Sequence, residues 1–204
     1  MTSVVGFDLD LTLVDPRPGV VVCMDQLSAE TGVAIDSALV ASRLGPPLEV
    51  ELAHWFKAAA VPDAAERYRA LSMELAVPLT TALPGARDAV DGVRRHDGRA
   101  VVITAKWEVT ARLTLEYLGI EVDDVVGWRW GPQKSETLRE VGAWCYVGDH
   151  VSDVDAARRA GVVAVAVPSG PCTRAQLSRY RSTVVLDSLV DFPQWYAAAT
   201  GARD

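Results

Sequence analysis

Two acidic residues stand two positions apart at the end of an apolar run near the start of the chain. The run Val4–Leu9 is typical of a buried strand, and Asp8 and Asp10 fall at its carboxyl end. Buried carboxylates are costly unless they are paired or bind a cation. Beside a hard cation, one carboxylate can attack an anionic electrophile and its neighbour can transfer a proton. The spacing therefore indicates a nucleophile, Asp8, next to a general acid and base, Asp10.

Further polar residues follow three later apolar runs. They are Thr104, Ala105 and Lys106 after the run that ends at 104, Lys134 after the run 122–128, and Asp149 and Asp153 after the run 144–147. Because ligands of open parallel sheets bind beyond the carboxyl ends of the strands, we expect these residues to gather at one edge. Grouped carboxylates repel each other, and Mg²⁺ suits oxygen ligands. With Lys134, the metal would offset the charge of a phosphoryl group.

The elements that must position these residues are short Val-rich runs alternating with helical patterns. Strands are predicted at 4–9, 100–104, 122–128, 144–147, 162–167 and 183–186, and helices at 87–96, 107–118, 134–141, 151–160 and about 191–199. Strands covered on both faces are continuously apolar, as these runs are. The alternation predicts an α/β fold whose core is a three-layer, Rossmann-like parallel sheet.

The stretch from Pro16 to Leu83 breaks this rhythm. It contains apolar stripes at helical spacing, and Gly and Pro residues divide it into about four helices with no predicted strand. We therefore expect a helical cap domain at 16–83, inserted into a catalytic core formed by residues 1–15 and 84–204.

Composition restricts the range of partners. The 204 residues carry a formal net charge of −7 with no Lys/Arg cluster, which argues against a nucleic-acid polymer or an anionic membrane as partner. No signal peptide or membrane-spanning stretch is predicted, and Cys23, Cys145 and Cys172 are expected to be reduced thiols. These features predict a cytoplasmic protein. The sequence leaves the oligomeric state open.

The motifs resemble those of the haloacid dehalogenase (HAD) superfamily, in particular its phosphoglycolate-phosphatase-like branch with a helical cap. The family motif DxDx[TV] matches Asp8–Thr12, and the family's Thr and Lys motifs match Thr104 and Lys134. The fourth motif matches "GDHVSDVDAARRAG", and "LPGARDAV" resembles the return of the chain from the cap. The sequence departs from the family at Leu11, where Gly is usual, and at His150, where Thr or Ser is usual.

The resemblance implies a set of roles. Asp8 would be the nucleophile and Asp10 the acid and base. Mg²⁺ would be held by Asp8, the backbone carbonyl of Asp10, and Asp149, with Asp153 supporting the metal. Thr104 and the N–H of Ala105 would bind phosphoryl oxygens, and the related pattern TSK suggests that Lys106 approaches the substrate. Arg43 precedes the cap loop, where it is expected either to meet an anionic substrate or to be a surface arginine. Trp128 and Trp130 are expected to be packing residues.

These roles predict a Mg²⁺-dependent phosphatase that acts on a small phosphorylated metabolite through an aspartyl-phosphate. Two alternatives stay open: a phosphomutase of the β-phosphoglucomutase type, and a catalytically silent binding or regulatory protein on the same fold. The stretch "PRPGVVVCMDQL" lacks the histidine expected of the mutase. Asp10 argues against a dehalogenase, and Lys57 comes too late in the chain for a phosphonatase.

Overall fold

A six-stranded parallel sheet forms the centre of the computed structural model, which describes residues 3–181 and 183–201. The strands of the described residues are β1 (Val4–Phe7), β2 (Val14–Asp15), β3 (Thr81–Ala82), β4 (Arg99–Ile103), β5 (Asp124–Val126), β6 (Ala143–Gly148), β7 (Val163–Ala166) and β8 (Val184–Val185). The sheet order is β5-β4-β1-β6-β7-β8, and every pair in it is parallel. The predicted α/β core is confirmed.

Helices cover both faces of this sheet. The α-helices are α1 (Arg17–Thr31), α2 (Ser37–Ser42), α3 (Leu48–Leu52), α4 (Val61–Leu71), α5 (Ala86–Arg95), α6 (Glu108–Leu118), α7 (Pro132–Glu140), α8 (Val151–Ala160), α9 (Arg174–Leu177) and α10 (Phe192–Gly201). Alternate residues of β1 point to opposite faces, so Val5 and Phe7 pack with residues of α5, α6 and α10, whereas Val4 packs with residues of α7 and α8. This arrangement gives the expected three layers.

The strand order changes direction beside β1. From β1 the chain goes to β4 and β5 on one side of the sheet, and then returns to β6, β7 and β8 on the other side. At such a point the loops after neighbouring strands diverge and leave a crevice at the carboxyl edge. The loops after β1, β4 and β6 carry Asp8, Asp10, Thr104 and Asp149, and Lys134 lies on α7 after β5.

The segment 16–83 is largely helical and has a hydrophobic cluster of its own. Its buried residues include Val20, Met24, Leu52 and Leu71, and they pack with one another apart from the two clusters on the sheet. The prediction that this segment has no strand is wrong, because β3 pairs with β2 in a short antiparallel ribbon. Each strand of the ribbon has two residues, too few for any periodic pattern to predict.

Smaller differences concern the bounds of single elements. Strand β5 is shorter than the predicted run 122–128, since Gly127 and Trp128 turn out of the sheet. Cys23, Cys145 and Cys172 are free and buried. Among residues 3–181 and 183–201, no helix combines the length and the apolar character needed to cross a bilayer.

Candidate active site

Asp8 lies directly after β1 and is held by three hydrogen-bonding partners. Its N–H donates to the carbonyl of Val147 in β6 over 2.8 Å. One carboxylate oxygen accepts the N–H of Leu9 at 2.8 Å, and the other lies 3.0 Å from Nζ of Lys134. Burial raises the pKa of Asp8 to about 6, although the Lys134 ammonium opposes the rise. The sequence therefore places a buried, oriented carboxylate where a nucleophile was predicted.

Two further carboxylates surround Asp8. Asp149 follows β6, Asp153 lies in the first turn of α8, and oxygens of the three acids lie within 4.8 Å of one another. Lys134, on α7, is 1% exposed and places Nζ 2.7 Å from Oδ1 of Asp153. Burial alone would lower the pKa of Lys134, but the charges of Asp153 and Asp8 raise it well above its ordinary value. One buried cation thus faces three acids.

This imbalance of charge fits a divalent cation. Burial, together with the charges of Asp153 and Asp8, raises the pKa of Asp149 well above its ordinary value. A divalent ion would remove that penalty, and a donor set made only of oxygens suits Mg²⁺. The carboxylate of Asp10 lies outside this acidic cluster, so a contribution from its backbone carbonyl stays a prediction.

Thr12 is a site residue that the sequence analysis did not single out. It is fully buried, and its Oγ donates to Oδ1 of Asp149 over 2.8 Å. Gly170 contacts the same carboxylate from the other direction, because a Cβ there would lie 1.8 Å from Oδ2 of Asp149. The sequence feature that could have identified Thr12 as a site residue is its position at the end of the motif Asp8–Thr12. Its role is to orient Asp149.

Leu11 adopts the backbone conformation that glycine favours. Its φ is 62°, its N–H donates to the carbonyl of Val14 at 2.7 Å, and its carbonyl accepts from Ser169 Oγ at 2.6 Å. A left-handed conformation costs a non-glycine residue about 1–2 kcal/mol. Burial of the Leu11 side chain, which is 3% exposed, offsets this cost. The turn after Asp8 therefore keeps the glycine-type shape despite the substitution.

Asp10 pairs with Lys106 across the carboxyl edge of the sheet. Nζ of Lys106 lies 3.1 and 3.2 Å from the two carboxylate oxygens. Thr104, at the end of β4, is 2% exposed, and its Oγ accepts the N–H of Lys106 at 3.2 Å. Together with Ala105, these three residues line one cavity with Asp8 and Asp149. The structure thus brings most of the predicted catalytic and substrate residues together.

The segment 16–83 contributes a wall of this cavity, which has a volume of about 110 Å³. The residues of that wall are mainly apolar, and they include Val20, Met24, Val40, Leu44, Leu48 and Tyr68. Arg43 does not line the cavity; its guanidinium binds Glu51 at 2.6 Å and lies 6.0 Å from the ring centre of Trp55. The arginine of this wall is Arg69, on α4.

The two tryptophans after β5 have different surroundings. Trp130 packs against His150, with 5.9 Å between ring centres, which agrees with the expected packing role. Trp128 is 54% exposed and has a φ of 53°, so it does not pack in the core as expected. Its ring lies 5.6 Å from Cζ of Arg69, and both tryptophans line the cavity. His150 caps α8 by accepting the N–H of Ser152.

A Rossmann-like sheet with a carboxylate directly after its first strand and an acidic cluster beside it is an arrangement that defines a class of α/β hydrolases. The chain belongs to the haloacid dehalogenase-like hydrolase family, whose family model matches residues 5–158. A second model, of HAD-hydrolase-like proteins, matches residues 136–192. The recognition made from the motifs is confirmed, and the chain is a phosphatase-like member of this family.

Similar proteins carry phosphatase and hydrolase names. A phosphoglycolate phosphatase of Pseudomonas syringae pv. syringae is 29% identical over 93% of this chain and 78% of its own length. A haloacid dehalogenase-like family hydrolase from Streptococcus pneumoniae superposes with a TM-score of 0.81 at 21% identity, over 96% of this chain and 98% of that chain.

One similar structure has a different name. Protein Tyrosine Kinase A of Mycobacterium tuberculosis superposes with a TM-score of 0.74 at 24% identity, over 95% of this chain and 97% of that chain. The shared fold therefore does not decide the reaction, which depends on the residues of the site.

Proposed function

We propose that this phosphatase uses Mg²⁺ to hydrolyse a small phosphomonoester through a phosphoryl group carried on Asp8. The observation that carries the proposal is the cluster of Asp8, Asp149 and Asp153 around Lys134, with Asp8 and Asp149 opening into the cavity. The relatives named phosphoglycolate phosphatase support a short organic phosphate as the substrate.

Asp8 and Asp10 would divide the chemistry between them. In the first step a carboxylate oxygen of Asp8 bonds to phosphorus and the ester bond to the leaving oxygen breaks. Asp10, which enters this step carrying a proton, gives that proton to the leaving oxygen. In the second step water bonds to phosphorus, Asp10 takes a proton from it, and the bond between phosphorus and Asp8 breaks. Inorganic phosphate leaves and both side chains return to their starting forms.

Other residues would hold the phosphoryl group in line with Asp8. Thr104 Oγ and the N–H of Ala105 can donate to its oxygens. Lys106 pairs with Asp10, so a phosphoryl oxygen would compete for its ammonium and free Asp10 for proton transfer. Mg²⁺ would supply further positive charge against the phosphoryl oxygens, held by Asp8, Asp149 and the backbone carbonyl of Asp10, with Asp153 in support.

Residues 16–83 would act as a cap over a catalytic core formed by 1–15 and 84–204. Apolar residues of this segment line the same cavity as Asp8. A covered site excludes bulk water while the phosphoryl group moves, and contacts on the cover select the leaving group.

The test compares two variants on two substrates. Asp8→Asn removes the attacking charge while keeping the shape, so we expect no phospho-enzyme from either an aryl or an alkyl phosphate. Asp10→Asn removes proton transfer, which is worth about a hundredfold to ten-thousandfold. Its loss should be larger for the alkyl phosphate, because an aryl leaving oxygen needs little protonation.

Acid quenching of the reaction with the aryl phosphate provides the second readout. In Asp10→Asn the phospho-enzyme should accumulate, since attack by water is slowed as well. Phospho-enzyme in Asp8→Asn, or an equal loss by Asp10→Asn on both substrates without a burst, would refute this division of roles.

A further inference from the structure

The arginines of segment 16–83 differ in how fully their donors are used. Three of the four place Nε and Nη2 on the two oxygens of a single carboxylate: Arg17 on Asp15, Arg43 on Glu51, and Arg67 on Glu30. The planar guanidinium presents these two N–H groups in parallel, which matches the two oxygens of a carboxylate. In these three residues, Nε and Nη2 therefore both donate to a carboxylate.

In Arg69 only one of these two N–H groups has an acceptor among the described residues. Its Nη2 donates to Oε1 of Glu49, but its Nε is buried and has no hydrogen-bond partner among the described residues. A buried donor without an acceptor costs about 1–3 kcal/mol. Arg69 therefore lacks an acceptor that its three neighbours in the segment possess.

Arg69 is also the one of these four arginines that lines the cavity. It is 21% exposed, and its guanidinium is supported by the ring of Trp128 at 5.6 Å. Glu49 is 48% exposed, so its carboxylate regains contact with water when it leaves Arg69. An incoming carboxylate can therefore displace Glu49 into water, while Arg69 stays in place.

The positively charged side chains that line the cavity lie in two places. Among its described lining residues, Lys and Arg are represented only by Lys106, which pairs with Asp10, and Arg69 on the segment 16–83. A phosphoryl group bound next to Asp8 would occupy the first of these places. A second anion on the leaving group would then meet Arg69 beside apolar residues and Glu51, whose carboxylate is already paired with Arg43.

We propose that Arg69 is the specificity residue of this site, and that its Nε and Nη2 bind a carboxylate on the leaving group. The substrate would be the phosphomonoester of a short hydroxy acid. This inference rests on the proposed function, because it takes Asp8 as the position of the phosphoryl group.

Binding to the Asp8→Asn variant with Mg²⁺ tests the inference without turnover. The probes are 2-phosphoglycolate and ethyl phosphate, which differ by a carboxylate in place of a methyl group. Calorimetry should give a preference for 2-phosphoglycolate, and adding Arg69→Gln should reduce that preference about tenfold to a hundredfold, as expected for a bond to a charged group. Adding Arg69→Lys should also reduce it, because the ammonium keeps the charge without the paired donors.

Two matched variants distinguish recognition from a structural effect. Arg67→Gln removes an arginine two positions earlier on α4 that is already bound to Glu30 and lies outside the cavity, so the preference should stay unchanged. Glu49→Gln removes the competing carboxylate, so 2-phosphoglycolate should bind more tightly. A substitution that only disturbed the structure of the segment 16–83 would not increase the affinity for 2-phosphoglycolate.

Each outcome bears on one proposal. Equal weakening of both probes by Arg69→Gln, or no gain from Glu49→Gln, would overturn the role of Arg69. Tighter binding of ethane-1,2-diyl bisphosphate than of 2-phosphoglycolate would overturn the carboxylate assignment. If the preference depends on Arg69 but the unmodified chain hydrolyses neither probe nor an aryl phosphate, the proposed function fails and the binding inference stands.

Discussion

Replacing Asp8 with Asn should make the metal-free protein more stable at neutral pH. Asp8 is 13% exposed, and burial raises its pKa from 3.8 to about 6. The folded state therefore holds this proton to higher pH than the unfolded state does. The free energy of unfolding should fall as pH rises from about 4 to about 6, and the full penalty is present above pH 6.

The size of the effect follows from the shift in pKa. A rise of about two units corresponds to about 3 kcal/mol at pH 7.5. Asn cannot ionise, and Lys134 keeps its ion pair with Asp153 at 2.7 Å when Asp8 is replaced. For a chain of this length, 3 kcal/mol corresponds to an increase in Tm of about 6–12 °C.

The assay is thermal unfolding of both proteins in excess chelator between pH 4.5 and 7.5. The Tm of Asp8→Asn should exceed that of the unmodified chain by a margin that grows with pH, and Mg²⁺ should narrow the margin. Asp25→Asn, on the exposed side of α1, is the control and should show no such trend. A variant that is less stable at pH 7.5, or a margin that does not depend on pH, would refute this account of the acidic cluster.

Three other perturbations test the same site. Excess chelator should abolish phosphate release and Mg²⁺ should restore it, whereas full activity in chelator would exclude the metal. Lys134→Met would leave the buried carboxylates of Asp8 and Asp153 without their cation, and urea unfolding should show a loss of about 3–5 kcal/mol. Gly170→Ala would place a Cβ against Oδ2 of Asp149, so calorimetry should show weaker Mg²⁺ binding; unchanged affinity would contradict this contact.

Much of the core could be predicted because its strands are continuously apolar and its helices alternate with them. The predicted helix 151–160 coincides with α8, and other core helices differ by one or two residues. The ribbon of β2 and β3 could not be predicted, because pairing of two-residue strands depends on where the folded chain brings them. The conformation of Leu11 also could not be read from its residue type.

The candidate site was predictable where a residue follows a strand. Asp8, Thr104 and Asp149 lie at the ends of β1, β4 and β6, so the topology itself brings them together. No comparable rule predicts which residues of the segment 16–83 face the cavity. Arg43 and Arg69 are both arginines of this segment, and no sequence pattern distinguishes their positions. Which of them faces the cavity depends on how the helices pack.

The ribbon of β2 and β3 has a consequence for how such an enzyme can evolve. Because the two strands lie side by side, the chain leaves the core and returns to it at points about 5 Å apart. The intervening stretch of the gene can therefore be lengthened, shortened or exchanged by recombination without displacing β1 or α5. On the division of roles proposed above, such an exchange would replace Arg69 and its neighbours together and leave Asp8, the nucleophile, untouched. New substrates would then be acquired by replacing one continuous block of sequence.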